Sequence, residues 1–177
     1  MIIDDSIVRG TTLQKSILKM LDRLNPKKII IVSSAPQIRY PDCYGIDMAK
    51  IDNFIVFKAT LKLLEDRNTL EQTLESIYSK CKLNQDYPLE KVENCVRALY
   101  EPFSNEQISA KIAQMLKGDN IKAEVEVIFQ TIEGLHQACP KNLGDWYFSG
   151  DYPTPGGNRV VNRAFMNFYE GKSVRAY

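Results

Sequence analysis

Met1-Ile2-Ile3-Asp4-Asp5-Ser6-Ile7-Val8-Arg9-Gly10-Thr11-Thr12 is the stretch that decides how this chain is read. An apolar run ends on two adjacent carboxylates, a short loop with glycine and hydroxyl residues follows, and an amphipathic helix opens. This is the layout of a phosphate site at the carboxyl end of a β-strand. Met1-Ile2-Ile3 is short but apolar and β-branched, like the last residues of a buried parallel strand. Apolar residues at Leu13, Ile17, Leu18, Met20, Leu21 and Leu24 fall near a helical period and predict a helix over Thr11 to Arg23. Gln14 stands three residues after Thr11, a capping-box spacing that starts the helix at about Thr11.

Each part of the string has a chemical use. A helix start leaves backbone N–H groups without intrahelical partners, and the macrodipole makes that end partly positive. A phosphate there is held by the amides of Gly10, Thr11 and Thr12 and by the hydroxyls of Ser6 and the threonines. Gly10 permits close approach and a positive φ. Arg9 either adds charge or points to solvent. Asp4 and Asp5 alternate sides on a strand, but at its end both can reach one crevice. Two acceptor-only carboxylates suit the vicinal hydroxyls of a ribose, directly or through Mg²⁺. For the acid pair alone, a plain capped loop is the simpler reading; the whole string is far more specific. It lacks the Gly-Lys-Ser/Thr of a Walker loop.

Ile2 through Thr12 resembles the phosphoribosyl pyrophosphate (PRPP) motif of type I phosphoribosyltransferases. The wording Asp4-Asp5-Ser6-Ile7-Val8-Arg9-Gly10-Thr11-Thr12 is most similar to that of the glutamine-dependent amidophosphoribosyltransferases. Ser33 to Met48, with Tyr44-Gly45-Ile46-Asp47, resembles the segment after the next strand in that family, and Phe148 to Thr154 is a weaker echo. The resemblance implies an enzyme of purine synthesis, in which ammonia from glutamine displaces pyrophosphate from C1 of PRPP to give phosphoribosylamine. Carried over by residue, Asp4 and Asp5 contact the ribose hydroxyls and Mg²⁺, and Ser6, Ile7, Val8, Arg9, Gly10, Thr11 and Thr12 form the loop for the 5-phosphate. No further catalytic group is assigned.

The implied fold class is α/β: part of a type I phosphoribosyltransferase (Rossmann-like) parallel sheet with a helical insertion. The chain opens at the motif, so the resemblance puts the glutaminase domain, the earlier strands, the pyrophosphate loop and the mobile loop outside it. The expectation is the C-terminal portion of a longer enzyme, inactive alone. PRPP, purine nucleotides as feedback ligands, the glutaminase portion and a second copy of the chain are the expected partners. The rival reading is a non-catalytic module on the same fold that senses PRPP or a purine nucleotide.

Length suggests one domain. The formal net charge of +1 removes any broad electrostatic case for nucleic acid or anionic membrane. No apolar stretch suits a membrane span and no signal-peptide layout stands at the start, so a cytoplasmic location is expected. Cys43, Cys81, Cys95 and Cys139 are widely spaced and read as reduced thiols. Some members of the resembling family carry an iron–sulfur cluster; the region Trp146 to Phe148 lacks their cysteine pair, so none is expected here. His136, the single histidine, has no ligand-spaced partners and reads as a surface or partly buried residue rather than a zinc ligand or catalyst.

Three segments follow along the chain: 1–52 as the βαβ part with the PRPP motif, 53–120 as a helical insertion, and 121–177 as a returning strand and helix with a tail. Ile29 to Val32 reads as a strand buried on both faces. In the loop after it, Arg39, Tyr40 and Tyr44 either line the crevice of Asp4 or simply pack. Phe54–Leu64, Thr69–Cys81, Leu89–Leu99 and Asn105–Leu116 are predicted helices, the last capped around Ser104. Val125–Phe129 is a predicted strand, Ile132–Ala138 a short helix and Val160–Tyr169 another. The tail between is read as turns, and its aromatic residues as packing groups.

Overall fold

Three short parallel strands carry the architecture. The structure is a computed structural model, and it describes residues 1–42 and 48–176. Strand β1 (Ile2–Asp4) pairs with β2 (Lys28–Ser33), which pairs with β3 (Glu124–Phe129). The register sets Ile2 against Ile31, Asp4 against Ser33 and Ser33 against Phe129. All three strands therefore end at one edge of the sheet, the side on which α/β folds bind ligands. Chain and sheet order coincide, so β1 and β3 form the two flanks. The expected α/β class with a parallel sheet is what the chain adopts.

Helix α1 joins β1 to β2. It opens at Thr11 and Thr12, passes through a π-helical turn (Leu13–Ile17), in which the Leu18 N–H reaches the Leu13 carbonyl, and continues as regular α-helix (Leu18–Asp22). Leu13 and Leu18 are both buried. Five residues of regular α-helix would set them about 140° apart around the axis, and the wider turn brings both to the core. At its far end the Asp22 carboxylate accepts from the Lys122 and Ala123 amides at 3.1 and 2.9 Å, just ahead of β3. The Ala123 bond holds that carboxyl below the ordinary aspartate range.

The remaining helices are α2 (Ile55–Asp66), α3 (Leu70–Gln85), α4 (Arg97–Tyr100), α5 (Asn105–Lys117), α6 (Ile132–Ala138), α7 (Trp146–Ser149) and α8 (Pro155–Tyr169). Ser104 caps α5 with a full capping box: the Gln107 N–H donates to Ser104 Oγ, and the Ser104 N–H donates to Gln107 Oε1. Helix α5 packs on β3 and on α2, while α3 packs on α8. Aromatic contacts fasten α8. Tyr169 stacks on Tyr78 with centroids 4.3 Å apart, and Phe168 meets Phe57 edge-on at 4.8 Å. These rings pack, as their composition suggested.

Several expectations change. The predicted Leu89–Leu99 helix is instead a 3₁₀ turn (Leu89–Lys91), an irregular stretch and the four-residue α4. Side chains of α8 and α3 hold that stretch in place of a helical ladder. Asn158 Nδ2 donates to the Val92 carbonyl, Asn162 spans the Glu93 carbonyl and the Cys95 N–H, and Asn84 Oδ1 accepts from the Glu93 N–H. Helix α8 starts earlier than expected because Pro155 occupies the first turn, where its missing N–H costs nothing.

Strand β2 is also not buried on both faces. Ile29, Ile31 and Ser33 are buried, while Ile30 and Val32 are only half-buried. On the same open face Ile3 is 67% exposed and Ile128 44% exposed. Ile31→Ala should therefore lower stability by about 2–5 kcal/mol, whereas Ile3→Lys should change it by less than about 0.5 kcal/mol. Urea unfolding of the two variants measures both, and equal losses would contradict the one-sided core.

Candidate functional site

The predicted loop lies where the sheet presents its carboxyl edge. Beyond the strand itself, the parallel ladder continues: the Ser34 N–H donates to the Asp4 carbonyl at 2.9 Å and the Ala35 N–H to the Asp5 carbonyl at 3.0 Å. The segments after β1 and β2 therefore leave the sheet side by side. Asp4 Oδ1 accepts from the Asp5 N–H at 3.0 Å, and Asp5 Oδ1 accepts from the Ser6 N–H at 2.7 Å. Each carboxylate thus steadies the next turn of backbone with one oxygen. Asp4 is half-buried and Asp5 exposed.

The loop is anchored from beneath. Ile7 is 3% exposed and sits in the core. The Val8 carbonyl accepts from the Ile55 N–H, the first residue of α2, at 2.8 Å. Gly10 has φ +69°, and a Cβ there would stand 2.5 Å from Ile55 Cδ1 and 3.0 Å from Leu116 Cδ2. Only glycine meets both demands, the left-handed backbone and the missing side chain. The Gly10 carbonyl accepts from the Gln14 N–H at 3.0 Å, so Gly10 stands where the helix ladder begins. Thr11 and Thr12 follow, both exposed, in the first turn with its unsatisfied amides.

One local detail differs from expectation. Gln14 does not close a capping box with Thr11; its Nε2 donates to the Met115 carbonyl of α5, 101 residues away. A tertiary acceptor wins over the local one, and it ties the helix start to α5. The structure thus brings Asp4, Asp5 and the loop from Ser6 to Thr12 together at one strand end and one helix start. Among the described residues no group of three His, Cys, Asp or Glu side chains is arranged to hold a metal. The only two carboxylates on this loop are Asp4 and Asp5.

The second loop separates from that site. Tyr40 is buried, edge-on to Tyr100 at 5.6 Å, and burial pushes its hydroxyl up to about 12. Arg39 donates to Gln37 Oε1 and Asn105 Oδ1 and lines a cavity of about 600 Å³ between α5 and β3. Tyr40 packs, and Arg39 serves α5 rather than Asp4. Tyr44 and the Tyr44-Gly45-Ile46-Asp47 segment, with Cys43, lie outside the described residues. His136 is partly exposed, 3.2 Å from Asp145. Sequence reasoning missed Gln37, whose buried amide joins the loop after β2 to the start of α5; no local signal marks such a contact.

Comparison with known proteins is decisive at this point. The amidophosphoribosyltransferase of Saccharomyces cerevisiae is 30% identical over 134 residues, which cover 72% of this chain and 26% of that protein. The amidophosphoribosyltransferase of Haemophilus influenzae is 49% identical over 57 residues, 32% of this chain and 11% of that protein. The chain is a relative of the amidophosphoribosyltransferases. A third relative of that name, from Escherichia coli, is 46% identical over 55 residues, 31% of this chain and 11% of its own length. The chain therefore spans about a quarter, or less, of these amidophosphoribosyltransferases. No family model and no solved structure matches the chain. Among the described residues no helix is long and apolar enough to cross a membrane.

Gly10→Ala should destabilise the fold by more than about 1 kcal/mol, combining backbone strain with a clash. Gly171 has nearly the same φ, +68°, but open space around it. Gly171→Ala should therefore be the milder change in a paired denaturation experiment. Equal losses would mean that the packing of Gly10 on Ile55 and Leu116 contributes nothing.

Proposed function

We propose that this chain supplies the ribose-phosphate part of an amidophosphoribosyltransferase, the transferase that makes 5-phosphoribosylamine from PRPP and glutamine-derived ammonia in purine biosynthesis. The observation that carries the reading is the anchored loop from Asp4 to Thr12, a paired-acid strand end joined to a glycine-opened helix start, in a relative of those enzymes. The amides of Gly10, Thr11 and Thr12 and the hydroxyls of Ser6, Thr11 and Thr12 receive the 5-phosphate. Ile7 and Val8 hold the loop to the core, and Arg9 adds a positive charge on its exposed side.

Asp4 and Asp5 take the ribose hydroxyls. Each still has its Oδ2 available for a ligand after its backbone bond. Two carboxylates without a third ligand group suit Mg²⁺, which is commonly held by one or two carboxylates plus substrate phosphates rather than by an all-protein cage. Bound there, Mg²⁺ would neutralise charge on the departing pyrophosphate. The protein's own contribution is positioning: it fixes both ends of the sugar while the bond at C1 breaks through an oxocarbenium-like state. Ammonia delivery belongs to the glutaminase portion, and purine nucleotides compete at the ribose-phosphate site. The setting is the cytoplasm, and a second copy of the chain is a candidate neighbour at the β1 flank.

The alternative, a non-catalytic PRPP or nucleotide sensor, has no specific support among these observations. Calorimetry of the chain with PRPP and Mg²⁺, beside an Asp4→Asn/Asp5→Asn variant, tests the site. Binding should be seen in the first and fall at least about tenfold in the second, which corresponds to roughly 1.4 kcal/mol. Equal binding to both forms would remove the acid-pair assignment, and no PRPP binding by the unsubstituted chain would remove the phosphate assignment.

A further inference from the structure

The outer edge of β3 carries unpaired backbone groups. Its ladder to β2 is phased by the Glu124 N–H, which donates to the Lys27 carbonyl, and the Gln130 N–H, which donates to the Ser33 carbonyl. In a parallel pair, alternate residues turn both backbone groups to the same neighbour, so Glu124, Glu126 and Ile128 face β2. Val125, Val127 and Phe129 turn theirs outward. Among the described residues no strand pairs with that side of β3, and no backbone group outside β2 bonds to it. Such an edge is a template for an added strand, and β3 has neither a proline nor a break in register to blunt it.

That edge forms one wall of the cavity of about 600 Å³, and α5 forms the other. All 6 residues of β3 line it in unbroken succession, so the strand meets the cavity with its edge rather than with one face. Opposite stand the small α5 side chains Ser109, Ala110 and Ala113, which leave the room. Both walls are about 20 Å long, at roughly 3.3 Å per strand residue and 1.5 Å per helix residue, the span of a short extended peptide. The walls run in opposite directions. Asn105, at the start of α5, bonds Gln37 and Arg39 beside the carboxyl end of β3, and residues 118–123 lead from the end of α5 back to the start of β3.

The two ends of this groove differ in charge. Where β3 starts, Glu124 and Glu126 are both paired with Lys28, and Lys117 stands nearby. Where β3 finishes, Arg39 is a fixed cation. Its Nη2 donates to two neutral amides, Gln37 Oε1 and Asn105 Oδ1, and its guanidinium lies 5.3 Å from the centre of the Tyr100 ring. Gln37 is itself buried and held by the Asn105 carbonyl and Ser109 Oγ. Among the described residues no carboxylate pairs with Arg39, and its Nε and Nη1 donors meet no protein acceptor. Glu106, the acid lining this end, is exposed and not ion-paired with Arg39. The start of α5 adds the partial positive charge of a helix N-terminus.

We propose that this groove binds the C-terminal end of an extended peptide, added to β3 as a parallel fourth strand with its free carboxylate on Arg39. The outward groups of Val125, Val127 and Phe129 pair with the peptide backbone, which supplies affinity without regard to sequence. A peptide running parallel to β3 brings its terminal carboxylate to the end where Arg39 has donors to spare. Its alternate side chains point towards the covered face and α5. None of these residues belongs to the Asp4–Thr12 loop, so the groove is separate from the ribose-phosphate site.

The probe is a library of randomised hexapeptides with free C-termini, panned against the whole chain, and the most enriched peptide is then titrated by fluorescence anisotropy. Its C-terminal amide should bind at least about tenfold more weakly, because the charge-assisted bond to Arg39 is lost. N-methylation of one alternating set of peptide amides should weaken binding as much, and methylation of the other set should be tolerated. Hydrogen exchange at the Val125, Val127 and Phe129 amides should slow on binding. Arg39→Gln should make the acid and amide forms of the peptide bind alike. No enrichment, equal binding of acid and amide to the unsubstituted chain, or indifference to both methylation patterns would each overturn the proposal. So would protection of the same three amides by self-association of the chain at rising concentration with no peptide present. All readouts but that of Arg39→Gln use the unsubstituted protein, so a folding defect in the variant leaves them decisive.

Discussion

The contact of Gly10 with Ile55 and Leu116 is the constraint on which the candidate site depends. A left-handed residue with no side chain lets the loop after β1 settle on α2 and α5, two helices that come much later in the chain. The Val8 carbonyl and the Gln14 amide add hydrogen bonds to the same two helices. Burial of Ile7 completes the seat. Preorganisation of this kind matters for phosphate binding, because amides already aimed at the ligand need not be ordered when it arrives. The helical segment between β2 and β3 is thus structurally engaged with the loop that precedes it.

That engagement also marks the limit of reading by sequence. The strand–acid–glycine–helix order of residues 2–22 was legible because each signal is local: β-branched residues, paired acids, a glycine and a helical period. Helices α2, α3 and α5 and strand β3 were legible for the same reason. Where the prediction failed, a distant side chain took over the backbone. Asn158 and Asn162 of α8 satisfy the groups of the 92–95 stretch, so a helix there has no advantage. Met115 draws Gln14 away from a cap whose spacing was correct. Propensity ranks local alternatives, and a single tertiary hydrogen bond of about 1 kcal/mol is enough to reverse that ranking.

The sheet gives a different lesson. Unbroken runs such as Ile29-Ile30-Ile31-Val32 are the pattern of strands covered on both faces, yet only one face is fully covered here. The sequence carries apolar residues on the open face, at Ile3, Ile30, Val32 and Ile128, and among the described residues no strand pairs with the outer edge of β1. Composition records what a strand is suited to meet, and the structure records what it has met within these residues.

The wide turn at the start of α1 works as a phase adapter between loop and sheet. Its extra residue lets the loop approach from one azimuth while Leu13 and Leu18 both keep to the core. Each residue of regular helix advances the chain by about 100°. Removing one residue from positions 14–17 would restore an even hydrogen-bond ladder and yet swing Gly10, Thr11 and Thr12 about that far around the helix axis. A shorter, more regular helix would thus be the worse one, aiming its free amides away from the strand end that carries Asp4 and Asp5.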